Sequence, residues 1–176
     1  MKKIEMAYFA GFFDGEGSVY AATRWHRTKE KDRRPTPTLT VCIGNTNFEV
    51  LRLHHEIFGG SLSERKNLAE RRLPQMQWMI AARQAEPYLR AIHPFLIIKR
   101  EVVSVALEYI ELLKTPRSEQ RDYSNRELDK RGRLASSPIV RPEFRKKVLD
   151  IHGRIRELNA GAAPHNVRRA LNPWEN

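Results

Sequence analysis

Hydrophobic spacing along the first two thirds of the chain switches repeatedly between the helical and the strand period. Residues 1–13, MKKIEMAYFAGFF, suit a helix that runs on to about residue 15. Small residues at Ala7, Ala10, Gly11 and Gly15 fall mostly three or four apart and so line one stripe of it. Gly11 inside a helix costs roughly 1 kcal/mol relative to alanine. A stripe of this kind lets another backbone come close, either the chain's own sheet or a second helix across a dimer. Residues 18–27, SVYAATRWHR, are rich in β-formers. Residues 28–37 are charged, hold two prolines and read as a loop. In residues 38–43, TLTVCI, Leu39, Val41 and Ile43 point one way and Thr38, Thr40 and Cys42 the other, which predicts a hairpin with one core face and one polar face. Residues 45–58 return to helical spacing, with Asn45 or Asn47 as the cap and Gly59-Gly60 at the end. Residues 61–66 and 75–82 predict a second hairpin around a basic loop, residues 86–93 a short helix, and residues 95–114 a long helix with a wide apolar face. The order is α-β-β-α-β-β-α over residues 1–114, an α+β core. Residues 115–142 are polar, residues 142–158 carry Phe144, Val148, Ile151, Ile155 and Leu158 at helical spacing, and residues 160–176 read as loosely ordered. Residues 115–176 are expected to pack on the core or extend it.

Charge sharpens this picture. Lys and Arg total 32 against 21 acidic residues, a net charge of +11 and a pI near 10.1. Arginine, which makes up most of the excess, suits phosphate forks and guanine edges. The balance points to nucleic acid, with a basic surface kept for solubility as the plainer reading. No run approaches the ~20 apolar residues that span a bilayer. The N-terminus lacks a small-residue cleavage site and reads as mature protein, so no membrane role is expected. Cys42 is the only cysteine, which excludes an intrachain disulfide and fits a reducing, intracellular compartment.

The stretch YFAGFFDGEGSVY, residues 8–20, runs an apolar helix into Asp14 and Glu16, each followed by a glycine. Carboxylates are disfavoured by the dipole at a helix C-terminus. Two solvated acids are one reading. The other is that Glu16, at the rim of the polar strand face, ligates a hard divalent cation such as Mg²⁺. FAGFFDGEG, residues 9–17, resembles the signature of the LAGLIDADG homing endonucleases at all nine positions, with conservative departures, and PFLIIKR, residues 94–100, looks like that family's late Pro-Phe-Leu…Lys element. The order of elements matches as well. The resemblance therefore implies the LAGLIDADG fold, a saddle-shaped antiparallel sheet with helices on one face, over residues 5 to about 110.

It also implies roles. Glu16 is the metal-binding acid, Gly15 lends a carbonyl, and Asp14 is a supporting acid. Asn45 orients water near the metals, and Lys99 is the basic residue near the scissile phosphate. Mg²⁺ is the expected cofactor, with Mn²⁺ substituting and Ca²⁺ binding without cleavage. One motif per chain implies a homodimer packed along Ala7, Ala10, Gly11 and Asp14, which cuts both strands of a long, roughly palindromic DNA duplex. No small-molecule substrate is expected. Alternation then assigns base readers: Ser18, Tyr20, Ala22, Arg24 and His26; Thr36, Thr38, Thr40 and Cys42; Ser61, Ser63, Arg65, Gln75 and Gln77. Arg27, Arg33, Arg34, Arg71 and Arg72 fall in the loops, where phosphate contacts are the expectation. A one-residue slip would invert each set. The alternatives are an RNA-splicing maturase on the same scaffold and a non-catalytic basic binder. An organelle and a prokaryotic cytoplasm are equally compatible compartments.

Overall fold

The computed structural model describes residues 2–25, 35–65, 74–122 and 139–161. Helix α1 (Lys3–Glu16) leads without a loop into strand β1 (Gly17–Trp25), and β2 (Pro35–Asn45) returns beside it. Helix α2 (Phe48–Phe58), strands β3 (Ser61–Arg65) and β4 (Gln75–Ala81), and helix α3 (Glu86–Ile92) follow. Helix α4 (Arg100–Lys114), the short α5 (Arg117–Gln120), a ribbon of β5 (Arg121–Asp122) and β6 (Ile139–Val140), and α6 (Pro142–Gly161) complete the described chain. The four long strands form one antiparallel sheet in the order β1-β2-β4-β3.

Register decides which side chains reach the core. Val19 pairs with Val41, and Ile43 with Trp78, so one face carries Val19, Leu39, Val41, Ile43, Trp78 and Ile80, all buried. Helix α1 contributes Met6, Phe9, Ala10 and Phe13 to the same cluster, and α3 and α4 contribute Tyr88, Leu89, Val103 and Ile110. Asn47, not Asn45, caps α2, accepting from the Glu49 N–H at 3.1 Å. Gly59 and Gly60 have φ of 72° and 90°, a left-handed exit that glycine adopts without penalty. That exit brings the Gly59 carbonyl to 2.7 Å from Trp78 Nε1, satisfying the one polar atom of a wholly buried ring.

Three boundaries differ from the sequence expectation. Helix α1 runs through Glu16, one residue past the expected end. Strand β2 begins at Pro35, inside the expected loop. Its partner β4 ends at Ala81, opposite Thr40, so on that side residues 35–37 have no neighbouring strand to lose a hydrogen bond to, and proline is admitted. Helix α4 begins at Arg100 instead of residue 95, because the N–H groups of residues 97–99 are turned toward Asp14. Helix α6 packs on α4 and β1, and Val148 and Ile155 join the core cluster.

Two histidines are buried in this core. His54 is fully covered, edge-on to Phe9 with 4.7 Å between ring centroids, and its Nδ1 lies 2.7 Å from the Val50 carbonyl. His152 of α6 lies 5.2 Å from the Tyr109 ring. Burial lowers the pKa of both below the ordinary 6.5, against a small opposing effect of the Val50 carbonyl at His54, and Arg156 adds to the lowering at His152. The unfolded chain therefore binds these protons at a higher pH than the folded chain does. Stability is full above pH 6.5 and is lost as pH falls below it toward the folded-state values. Urea unfolding between pH 8 and 5 is expected to show this loss, and His54→Phe, which cannot titrate, to show a shallower pH dependence.

Candidate functional site

The end of α1 is organised by Asp14. Its carboxylate is turned inward and accepts three backbone hydrogen bonds, from Ile97 at 2.8 Å, Ile98 at 3.3 Å and Lys99 at 2.8 Å. A carboxylate with this many donors is saturated and fixed. The expectation of Asp14 as a supporting acid and dimer contact gives way here: it is 9% exposed and holds residues 97–99 against the helix end. Lys99 completes the clasp, its Nζ donating to the Asp14 carbonyl. Burial lowers the Lys99 pKa, while the charges of Asp14 and Glu16 act the other way. The Lys99 ammonium is thus held within electrostatic reach of Glu16, although the two lie 83 positions apart in the chain.

Glu16 and Gly15 are exposed at the last turn. Gly17 follows with φ of −79°, an ordinary extended value, so what excludes a side chain here is space, not conformation. A Cβ on Gly17 would run into the Phe13 ring. The close junction turns the chain from helix to strand in one residue. Asn45 lies two positions beyond the Gly17↔Ile43 pair, at the end of β2, where its Oδ1 accepts from the Asn47 N–H at 2.8 Å. It stands on the same side of the sheet as α1, in the residue set of Val41 and Ile43.

The donor set at this helix end suits a hard cation: one exposed carboxylate together with backbone carbonyls at the negative end of a helix. It is half a cage. Among the described residues no three His, Cys, Asp or Glu side chains converge as a metal-binding group. A site built here would take its remaining oxygen donors from water, a substrate or a second chain.

The opposite face of the sheet is the polar one. Cross-strand rows run Ser18–Cys42–Met79–Ser61 and Gly44–Gln77–Ser63, with Tyr20–Thr40–Ala81 and Ala22–Thr38 beside them. Arg24 pairs with Thr36, and Arg65 with Gln75, at the outer ends. Register therefore brings Ser18, Tyr20, Ala22, Thr38, Thr40, Cys42, Ser61, Ser63, Gln75 and Gln77 to one face, with Arg24, Thr36 and Arg65 at the register positions that continue those rows. Cys42 differs from the rest, being only 3% exposed because the Gln77 amide donates to its sulfur and covers it. Gly44 and Met79 share this face and were not among the expected readers, since neither has a polar side chain to signal it. His26, Arg27, Arg33, Arg34, Arg71 and Arg72 lie outside the described residues.

Helix α1 divides its small residues between two surfaces. Ala10 is fully buried in the chain's own core, so it is removed from the expected dimer contact. Ala7 and Gly11 are exposed, on a stripe with Ile4 and Tyr8 at 76% and 53% exposure. Nothing lies within 4 Å of a Cβ placed on Gly11. Ile97 and Ile98, beside the Asp14 clasp, are 86% and 72% exposed. Isolated exposed isoleucines are ordinary, whereas here two large apolar side chains lie exposed along one face of α1 and two more beside its C-terminal end.

No family model and no curated protein matches the sequence. Solved structures do match in three dimensions. The chain is similar to the homing endonuclease I-CvuI in complex with its target in the presence of calcium, at 15% identity over 89% of this chain and 82% of that one, with a TM-score of 0.60. It is similar to the archaeal intron-encoded homing endonuclease I-Vdi141I complexed with DNA, at 14% identity over 90% and 86% of the two chains, with a TM-score of 0.62. The LAGLIDADG homing endonuclease I-GzeII in complex with its DNA target matches at 15% identity and a TM-score of 0.57, over 84% of this chain but 43% of that longer one. This chain has the LAGLIDADG homing-endonuclease fold.

The clasp is open to measurement. Asp14→Ala leaves three backbone donors without their charged acceptor and is expected to cost about 3 kcal/mol in urea unfolding, at the upper end of what hydrogen bonds to charged groups contribute.

Proposed function

We propose that this chain is a site-specific, divalent-metal-dependent DNA endonuclease that works as a homodimer, each copy cutting one strand of a duplex. The observation that carries the reading is the placement of Lys99 at the helix end that bears Glu16. Its ammonium donates to the Asp14 carbonyl, two residues before the exposed Glu16, where the motif helix meets the sheet. The similarity to I-CvuI and I-Vdi141I, both solved with DNA, supports a duplex as the partner. The net charge of +11 supports binding to the phosphate backbone.

Each residue has a physical task in this reading. Glu16, with the Gly15 carbonyl, would hold Mg²⁺ at the end of α1, with Mn²⁺ as a substitute and Ca²⁺ binding without cleavage. The chemistry such a cation would supply is charge neutralisation at the scissile phosphate and activation of water. Lys99, fixed by its bond to the Asp14 carbonyl, presents a positive charge to the phosphate. Asn45, whose side-chain carbonyl is engaged by Asn47, keeps its amide N–H₂ available to orient water. The polar sheet face lies in the major groove, where a β-ribbon fits and base edges are distinguishable. Ser18, Tyr20, Thr38 and Gln77 offer hydroxyl and amide groups to those edges.

One Glu16 per chain accounts for the need for a second copy. Two strands need two sites, and a two-fold axis through the exposed stripe of Ala7 and Gly11 brings two Glu16 carboxylates together. The apolar side chains of Ile4, Tyr8, Ile97 and Ile98 give that contact its hydrophobic surface.

Glu16→Gln is expected to lower cleavage of a duplex selected from a randomised library by at least ~1,000-fold, a loss typical for removal of a key electrostatic group, while binding measured by gel shift persists. Equal cleavage by the variant would remove the assignment, and binding of structured RNA in preference to duplex DNA would favour the maturase alternative. Gly11→Leu tests the dimer separately. The open space around Gly11 admits leucine in the single chain, and helix propensity predicts a gain of about 1 kcal/mol. Sedimentation is expected to show the wild-type dimer become a monomer, and an unchanged sedimentation coefficient would exclude this stripe as the contact.

A further inference from the structure

Helix α6 ends on the edge of the sheet. Strand β1 is an edge strand, with β2 on one side only, so half of its backbone groups face away from the ladder. One of these is the Val19 carbonyl, which accepts from Asn159 Nδ2 at 2.8 Å across 140 residues of chain. Val19 itself is fully buried, and its neighbours Ser18 and Tyr20 project from the opposite, polar face. Three residues before Val19 stands Glu16. A side chain at the end of α6 therefore holds the backbone between the first two candidate base readers, three residues after the candidate metal ligand.

The rest of α6 is arranged to hold that side chain in place. Val148, His152 and Ile155, spaced four and three apart, are buried against α4 and the sheet. The Arg154 guanidinium grips the Glu108 carboxylate of α4 through two nitrogens, at 2.5 Å and 3.2 Å. These contacts anchor α6 to α4. Asn159 sends a hydrogen bond from α6 to β1.

We propose that Asn159 is a positioning residue: through the Val19 carbonyl it sets the height and twist of β1, and with them the alignment of Ser18 and Tyr20 on the DNA. The proposal rests on the duplex-binding reading above, and its mechanical half stands apart from it. An edge strand carrying recognition side chains has no second strand to hold it flat, and a displacement of its backbone moves every reader along it. The hydrogen bond from α6 supplies the missing lateral restraint.

Four full-length proteins test it: wild type, Asn159→Asp, Asn159→Gln and Arg154→Ala. Asp has nearly the same shape but no N–H to donate, Gln keeps the amide donor, and Arg154→Ala weakens the docking of α6 without touching β1. Amide hydrogen exchange across residues 17–22 is expected to speed up at least tenfold in Asn159→Asp, to stay near wild type in Asn159→Gln, and to change less than twofold in Arg154→Ala. On the selected duplex, Asn159→Asp is expected to weaken binding about tenfold and to relax discrimination at the base pairs nearest the cut. Its single-turnover cleavage rate at saturating DNA should fall less than twofold. Unchanged exchange in Asn159→Asp, or equal effects from Arg154→Ala, overturns the proposal. Exchange that responds as expected with binding and specificity unaltered overturns the reading role. If the wild-type protein binds no duplex at all, the functional reading fails, and the exchange comparison still decides the brace.

Discussion

A buried carboxylate that binds backbone and not solvent holds the architecture together. Asp14 collects the N–H groups of residues 97–99 and thereby joins the end of the first helix to the start of the fourth. Hydrogen bonds to an ionised acceptor are about twice as strong as neutral ones, and three on one carboxylate leave it little freedom. Much of the local geometry follows. Helix α4 must start late, at Arg100, because the preceding turn is aimed elsewhere. Lys99 must lie beside the helix end, because its own N–H is one of the three. Glu16, two residues after Asp14, is left outside on the last turn. The acid that the sequence pairs with Glu16 as a second functional group is what makes the exposed one's position definite.

The sheet has two tasks that the same alternation serves. Odd positions of β1 and β2 and even positions of β4 make the core face; the complementary set makes the polar face. Because the side-chain period is two, neither face can be altered without the other. Buried aromatic packing on the core side, with Trp78, Tyr88 and Phe13 all wholly covered, fixes the register, and the polar face inherits its order from that packing. Cys42 shows the limit of alternation. It stands on the polar face but is shielded by Gln77, since side chains from adjacent strands reach across rows. At the free edge, alternation gives no restraint at all, and there a helix from the far end of the chain takes over.

How far the sequence carried can be seen in particular elements. The β-formers of residues 18–27 and the alternation of residues 38–43 announced the first hairpin, and the 3.6 spacing of Phe144, Val148, Ile151, Ile155 and Leu158 announced α6. Local chemistry suffices for such features, since propensity and periodicity act within one turn or one strand. The motif residues 9–17 led to the fold, and three-dimensional similarity to homing endonucleases agrees with it. The inward turn of Asp14, the burial of Ala10 and Cys42, and the late start of α4 were not legible, because each is settled by a partner distant in sequence.

The sequence by itself determined the order of the main elements over residues 1–114, the polarity of the two sheet faces, the strongly basic charge and the single carboxylate-bearing motif. These depend on nearest neighbours and on composition. Only the tertiary structure decided which of two acids is structural and which is free, which small residues of the first helix remain exposed, and that Asn159 restrains β1. The physical reason is the same in each case: a hydrogen-bonding or packing group is committed by whichever partner desolvates it, and that partner is brought by the fold, not by the neighbouring residues.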